Sequence, residues 1–201
     1  KGSKGKRSYL YGRKLLQLGI KTPEPIAYFD DYYDETAEEK RTFYISENLE
    51  YQLTCREIFG NGNFTHEAEE IVKKDKEKLI KLFTEFTFFL HEKGVEFHDY
   101  SPGNVLIKKT KDDSYEFYLI DLNRMTFRKK LGFSRRMKNV SRMMEETQYI
   151  EKFSKYYSEL YKKNYLRVFF RLYSFVKIHE SNVALKDNTR TFRYFFKKKK
   201  R

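Results

Sequence analysis

The chain has 201 residues and a net charge of +13, from 42 Lys/Arg against 29 Asp/Glu; it carries 17 Tyr and 19 Phe but no Trp. That length supports one domain with a real core and part of another, and no stretch reaches the roughly 18 uninterrupted apolar residues that a membrane span needs. The single cysteine, Cys55, excludes an intrachain disulfide and a zinc-finger cluster, reads as a small buried apolar residue, and suits a reducing compartment such as the cytoplasm.

In chain order, residues 7–18 predict a helix with Gly19 as its C-terminal cap. Pro23 and Pro25 stop it, because proline lacks the amide donor and clashes with the preceding turn. Strand-like runs at 26–33 and 41–47 flank an acidic loop at 34–39, which predicts a hairpin. A short helix is expected at 53–59 and a loop at 60–63. The strongest helix signal runs over 66–93, where Leu79, Leu82, Phe83, Phe86, Phe89 and Leu90 recur at helical spacing. Gly94 ends it, residues 95–97 read as a short extended piece, and Pro102-Gly103 reverses the chain. Two strands, 105–108 and 115–120, frame a polar turn. No proline follows Pro102, and helical pattern dominates from Asn123 to about residue 180. The strands are segregated among helices, so the fold class is α+β.

Charge is concentrated at the ends. Residues 1–23 hold seven Lys/Arg and no Asp or Glu, and residues 186–201 hold eight against Asp187, so each end carries +7 and the body between them −1. Nucleic-acid-binding domains spread basic residues along a folded face, and the interleaved aromatic and basic residues after 150 are the one feature that suits such a module. Basic ends on a nearly neutral body suit an anionic membrane surface, and would also suit phosphorylated substrates, RNA or a solvated tail without a partner.

The chemistry-bearing residues lie at 97–123. Asp99 precedes Asn104 by five residues across a tight turn, and Asp121 ends a hydrophobic strand. A carboxylate at the start of such a loop can accept a hydroxyl proton. The oxygens of Asn104 and Asp121 can hold Mg²⁺, which prefers hard ligands, against nucleotide phosphates. Asp-x4-Asn followed about twenty residues on by Asp is the kinase catalytic-loop and metal-loop spacing. His66, His91 and His179 form no cluster and read as structural or surface residues, with His91 placed to favour the helix dipole when protonated.

These segments, together with Leu15-Leu16-Gln17-Leu18-Gly19-Ile20 and Thr22-Pro23-Glu24-Pro25, resemble the lipopolysaccharide core kinases that phosphorylate heptose or Kdo (the 3-deoxy-octulosonic acid of the inner core), notably the Bacteroides-type versions. The resemblance runs from about Arg7 to Phe127. It implies a protein-kinase-like fold, with residues 1–49 forming part of an N-lobe (helix plus hairpin, ending in the hinge) and 50–201 a mostly helical C-lobe with the basic tail. It further implies ATP and Mg²⁺ as cofactors, Asp99 as catalytic base, Asn104 and Asp121 as metal ligands, and Glu47 and Leu49 in the hinge beside adenine through backbone groups. The acceptor it implies is an inner-core sugar on lipid A, handled at the cytoplasmic face of the inner membrane by a peripheral enzyme.

The pattern departs from the family in three places. A Gly-rich phosphate loop and its following strand lysine are expected before the first helix, so the sequence reads as lacking that N-terminal part. The first helix has no Glu for that lysine; Tyr9 or Leu10 occupies the position. Phe97 stands two residues before Asp99 where the pattern has His, and His98 directly before it. Ser101 replaces the lysine of Ser/Thr protein kinases and no Ala-Pro-Glu follows Asp121, which argues for a sugar or small-molecule acceptor over a protein. The missing Lys and Glu raise the alternative of a catalytically impaired scaffold.

Overall fold

The computed structural model describes residues 2–34, 39–60 and 64–198. Most of the acidic loop at 34–39, much of the loop at 60–63 and the last three residues of the basic tail lie outside them. Helix α1, Lys4–Gln17, starts a turn before the expected residue 7, because the Ser3 hydroxyl caps it by accepting from the Lys6 amide. The buried face of α1 is Gly5, Ser8, Gly12 and Leu15. The small residues let the helix lie directly on the hairpin of β1, Pro25–Asp34, and β2, Glu39–Ser46. A Cβ on Gly5 would stand 2.5 Å from the Phe43 carbonyl oxygen, and one on Gly12 2.6 Å from the ring of Pro25.

This N-terminal piece is stitched to the rest through its linker. The Leu119 amide donates to the Lys21 carbonyl at 3.0 Å, and the buried Thr22 hydroxyl donates back to the Leu119 carbonyl at 2.8 Å. The expected helix at 53–59 is shorter. Leu53–Thr54 forms a two-residue strand, β3, because it finds an antiparallel partner in β5, Val105–Lys109. Thr54 then caps α2, Cys55–Phe59, in a reciprocal capping box with Glu57. Cys55 is fully buried, and burial pushes its thiol well above the usual range.

Helix α3, His66–Glu92, carries most of the expected stripe inward: Leu79, Phe83 and Leu90, together with Ile80, are inaccessible to solvent, Leu82 and Phe86 are partly buried, and Phe89, expected in the stripe, is exposed. It kinks at Asp75, whose backbone leaves helical geometry and whose carboxylate accepts the Tyr115 hydroxyl at 2.7 Å. Gly94 follows with φ +72°. A Cβ there would overlap the Arg128 carbonyl oxygen, 1.9 Å away. That close approach allows β4, Val95–Phe97, to pair with β7, Met125–Phe127, a strand in a region expected to be helical. Strand β6, Tyr115–Leu119, completes the sheet β3-β5-β6. Beyond it, α4 (Phe133–Val140), α5 (Thr147–Tyr161) and α6 (Tyr165–Lys198) pack on α3 and on one another, burying Met137, Ile150, Phe153, Tyr157, Val168, Leu172 and Val176.

Candidate active site

The loop after β4 is held by its own backbone carbonyls. The Phe97 carbonyl accepts from Asn139 Nδ2 at 2.6 Å, that of His98 from Arg142 Nη1 at 2.8 Å, and that of Asp99 from Asn104 Nδ2 at 2.8 Å. Tyr100 anchors the loop from below: its ring is fully buried, and its hydroxyl pairs with Thr87 of α3 at 2.7 Å. Pro102 to Asn104 form a single 3₁₀ turn leading into β5.

Asp99, the expected base, is partly buried, with 17% of its side chain exposed. Arg124 Nη1 lies 3.0 Å and Arg142 Nη1 3.6 Å from the same oxygen, Oδ1. Among the described residues no partner is seen for Oδ2. Asn104 and Asp121 meet at one end of the β5–β6 hairpin. Val105 pairs with Leu119, and the Ile120 amide donates to the Asn104 carbonyl at 3.1 Å, so Asn104 sits across from the residue preceding Asp121. Asp121 adopts a left-handed backbone, φ +54°, which aspartate tolerates better than most residues, and Asn123 Nδ2 donates to its Oδ1 at 2.6 Å.

This arrangement fits a hard cation. The Asp99 carbonyl demands a donor, which fixes Nδ2 of Asn104 toward it and leaves the amide oxygen as an available acceptor. The second oxygen of Asp121 has no partner among the described residues. Magnesium commonly takes one or two such protein ligands and completes its shell with phosphates and water. Among the described residues no three His, Cys, Asp or Glu side chains gather into a protein-only cage.

Glu47 and Leu49 lie on the strap from β2 to β3. The Glu47 amide donates to the Glu24 carbonyl at 2.9 Å, its side chain is exposed, and Leu49 is half-buried. The α1 positions discussed for a pairing Glu are otherwise engaged or open. Tyr9 packs on Tyr28 with ring centroids 5.3 Å apart, and Leu10 is 50% exposed. His98 is exposed and bonded to Thr126 through Nε2 at 2.8 Å.

Sequence reasoning missed Arg124, Arg142 and Asn139, which reach the loop from later segments. His91 is structural, as expected, but it is buried and so not placed to favour the helix dipole as a cation. Asn139, with Nδ2 committed to Phe97, presents its oxygen to His91 Nε2 at 3.3 Å, while His91 Nδ1 lies 2.8 Å from the Tyr157 hydroxyl. The network assigns the neutral tautomer: Nε2–H donates to Asn139 and Nδ1 accepts from Tyr157. Burial, reinforced by the Arg136 charge, lowers the His91 pKa to about 3.

Two comparisons bear on identity. A family model described as "Lipopolysaccharide kinase (Kdo/WaaP) family" matches residues 11–170. Among solved structures, "WaaP in complex with acyl carrier protein" superposes with a TM-score of 0.59 at 15% identity, covering 89% of this chain and 74% of that one. The Rio2 kinase–ADP/Mg²⁺–phosphoaspartate complex from Chaetomium thermophilum has a TM-score of 0.47 at 13% identity, covering 85% of this chain and 44% of that one. No curated protein matches the chain at a significant level.

The buried neutral His91 makes stability depend on pH. The unfolded chain binds this proton below about pH 6.5 and the folded chain only near 3. Its contribution is therefore complete above the unfolded value and declines on acidification by about 1.4 kcal/mol per pH unit. Urea unfolding between about pH 6 and pH 4 is expected to show a shallower pH slope in His91→Gln, by about one proton; an unchanged slope would show that His91 is not buried in its neutral form.

Proposed function

The chain belongs to the lipopolysaccharide kinase (Kdo/WaaP) family and has its protein-kinase-like α+β fold, and on that footing we propose that it transfers the γ-phosphoryl group of ATP to a sugar hydroxyl of the lipopolysaccharide inner core, Kdo or heptose on lipid A. The observation that supports the reading is Asp99 on a loop fixed at three successive carbonyls and joined through Asn104 to the residue preceding Asp121.

Asp99 Oδ2 accepts the proton of the attacking hydroxyl, while Arg142 steadies the carboxylate through Oδ1, which Arg124 also contacts. Asn104 and Asp121 would hold Mg²⁺ against the ATP phosphates, where the cation would neutralise charge on the transferring phosphoryl group. The strap carrying Glu47 and Leu49 takes the adenine through backbone groups, and the N-lobe portion and C-lobe divide at its start, about residue 49. The α1 helix supplies no carboxylate among Lys4–Gln17, so any lysine anchoring the phosphates pairs differently here. That same feature favours the second reading, a scaffold that keeps the fold without turnover.

The acceptor is a lipid, and the protein carries a surface suited to meeting one. A groove of about 940 Å³ between the start of α4 and α6 is lined by Arg128, Lys130, Arg135, Arg167 and Arg171, with Leu166 and Phe170 exposed at its rim. Cations mixed with protruding apolar side chains match an anionic bilayer surface. We therefore place the enzyme peripherally at the cytoplasmic face of the inner membrane, where an acyl carrier protein of the kind bound by the solved WaaP is a further possible partner.

Three outcomes are expected. Labelled γ-phosphate should pass from ATP to Kdo-bearing lipid A, and Asp99→Ala should slow this by at least about a hundredfold; transfer within threefold of wild type would remove Asp99 from the role. Asp121→Asn should mainly weaken Mg²⁺-nucleotide binding in titration calorimetry, and an unchanged affinity counts against its metal role. Failure of the wild type to bind nucleotide at all would favour the scaffold. Replacing Arg167 and Arg171 together by Gln should cut sedimentation with anionic vesicles at low salt about thirtyfold, at roughly 1 kcal/mol per basic residue; equal partitioning would remove the groove from membrane contact.

A further inference from the structure

A second hollow, about 630 Å³, opens directly beside Asp99 and contains none of the hinge or metal residues. One wall is the face of α1 that presents Arg7, Tyr11 and Lys14 at i, i+4 and i+7. The other is the segment from Asn123 to Phe127 together with His98. Its charge is one-sided. Among the described residues Arg7 donates to carbonyls, those of Asn123 at 3.0 Å and Gly2 at 2.5 Å, and Lys14 lies 4.3 Å over the Phe127 ring. Neither has a carboxylate partner among the described residues. The third cation, Arg124, is paired, and its partner is Asp99 itself, at 3.0 Å.

Cations that meet no carboxylate in an open polar pocket repel one another, and an entering oxyanion relieves that repulsion. Arg124 belongs to both places at once, lining the pocket while holding the base. We propose that this pocket binds an oxyanion, phosphate or carboxylate, carried by the acceptor, and that Arg124 exchanges Asp99 for that oxyanion, releasing the carboxylate toward the acceptor hydroxyl. The proposal rests on the inner-core acceptor proposed above, of which Kdo, an octulosonic acid, brings its own carboxylate. Arg7 and Lys14 act as specificity residues and Arg124 as a positioning residue for Asp99. An acceptor lacking the anion leaves Arg124 on the base, so recognition and activation are one event.

Linkage supplies a test that transfer assays cannot confound. If Asp99 and the oxyanion compete for Arg124, removing the Asp99 charge must tighten the oxyanion site, because coupling between sites is reciprocal. Inorganic phosphate and, separately, acetate are titrated into the intact chain by calorimetry, with the His98 ring resonances as a local reporter. Phosphate or acetate, whichever mimics the recognised group, should bind wild type with a His98 shift. It should bind Lys14→Ala at least tenfold more weakly and Asp99→Asn severalfold more tightly. Lys14 is exposed, so its replacement does not threaten the fold. Equal affinity in all three proteins, or binding without a His98 shift, overturns the pocket whether or not phosphoryl transfer is ever observed. If the ions behave as expected but Lys14→Ala leaves the acceptor KM unchanged in a working transfer assay, the acceptor assignment is overturned.

Discussion

Three adjacent carbonyl oxygens, those of Phe97, His98 and Asp99, each take a side-chain hydrogen bond, two from Asn139 and Arg142 at the end of α4 and one from Asn104 of the loop itself. A short loop has no ladder of its own to satisfy its backbone, and an unpaired buried carbonyl costs about 1–3 kcal/mol. Here Asn139, Arg142 and Asn104 supply the donors and in doing so set where the Asp99 carboxylate points. Positioning of this kind is what phosphoryl transfer asks of a protein, since there is little covalent chemistry for the side chains to perform.

The clamp in turn depends on the buried cluster behind it. Asn139 can donate to Phe97 only because its oxygen is satisfied by His91, and His91 is neutral because burial and the nearby Arg136 disfavour its charged form. Arg136 is itself almost fully buried and is paired with Glu92 and the Leu131 carbonyl, with its guanidinium 4.6 Å from the Tyr161 ring centroid. The C-terminal helices therefore reach the loop that carries Asp99 through one continuous polar network set in an aromatic core. That gives the region beyond residue 130, which carries no motif, its part in the site.

The surface follows a different logic. Among the described residues, Arg7 and Lys14 in the hollow beside Asp99 and Lys130, Arg167 and Arg171 in the one between α4 and α6 meet no carboxylate, whereas Arg128 and Arg135 share Glu96 and Arg124 pairs with Asp99. Uncompensated charge lowers the stability of a free protein through self-repulsion and is relieved when an anionic partner arrives. Both hollows thus suit an acceptor that is itself anionic and embedded in an anionic surface.

How much of this was legible in the residues divides along sequence separation. The long helix of 66–92, the two hairpins and the Asp99, Asn104 and Asp121 spacing were readable because hydrophobic period, proline stops and turn residues act within a few positions, and the family resemblance rested on the same local motifs. Strand β7 was not readable: Met125–Phe127 has no strand signal until Gly94 allows Arg128 close enough for β4 to pair with it. The protonation state of His91 was not readable either, since it depends on Tyr157 and Asn139, 66 and 48 residues away. Nor were the Asp99 guanidinium partners, 25 and 43 positions on, or the pocket that α1 builds with a segment more than a hundred residues later. The sequence by itself determined which residues could carry the chemistry, because residue type and short spacing are local properties. Only the tertiary structure decided which charges those residues face, because a partner's distance is set by packing between segments that no local pattern relates.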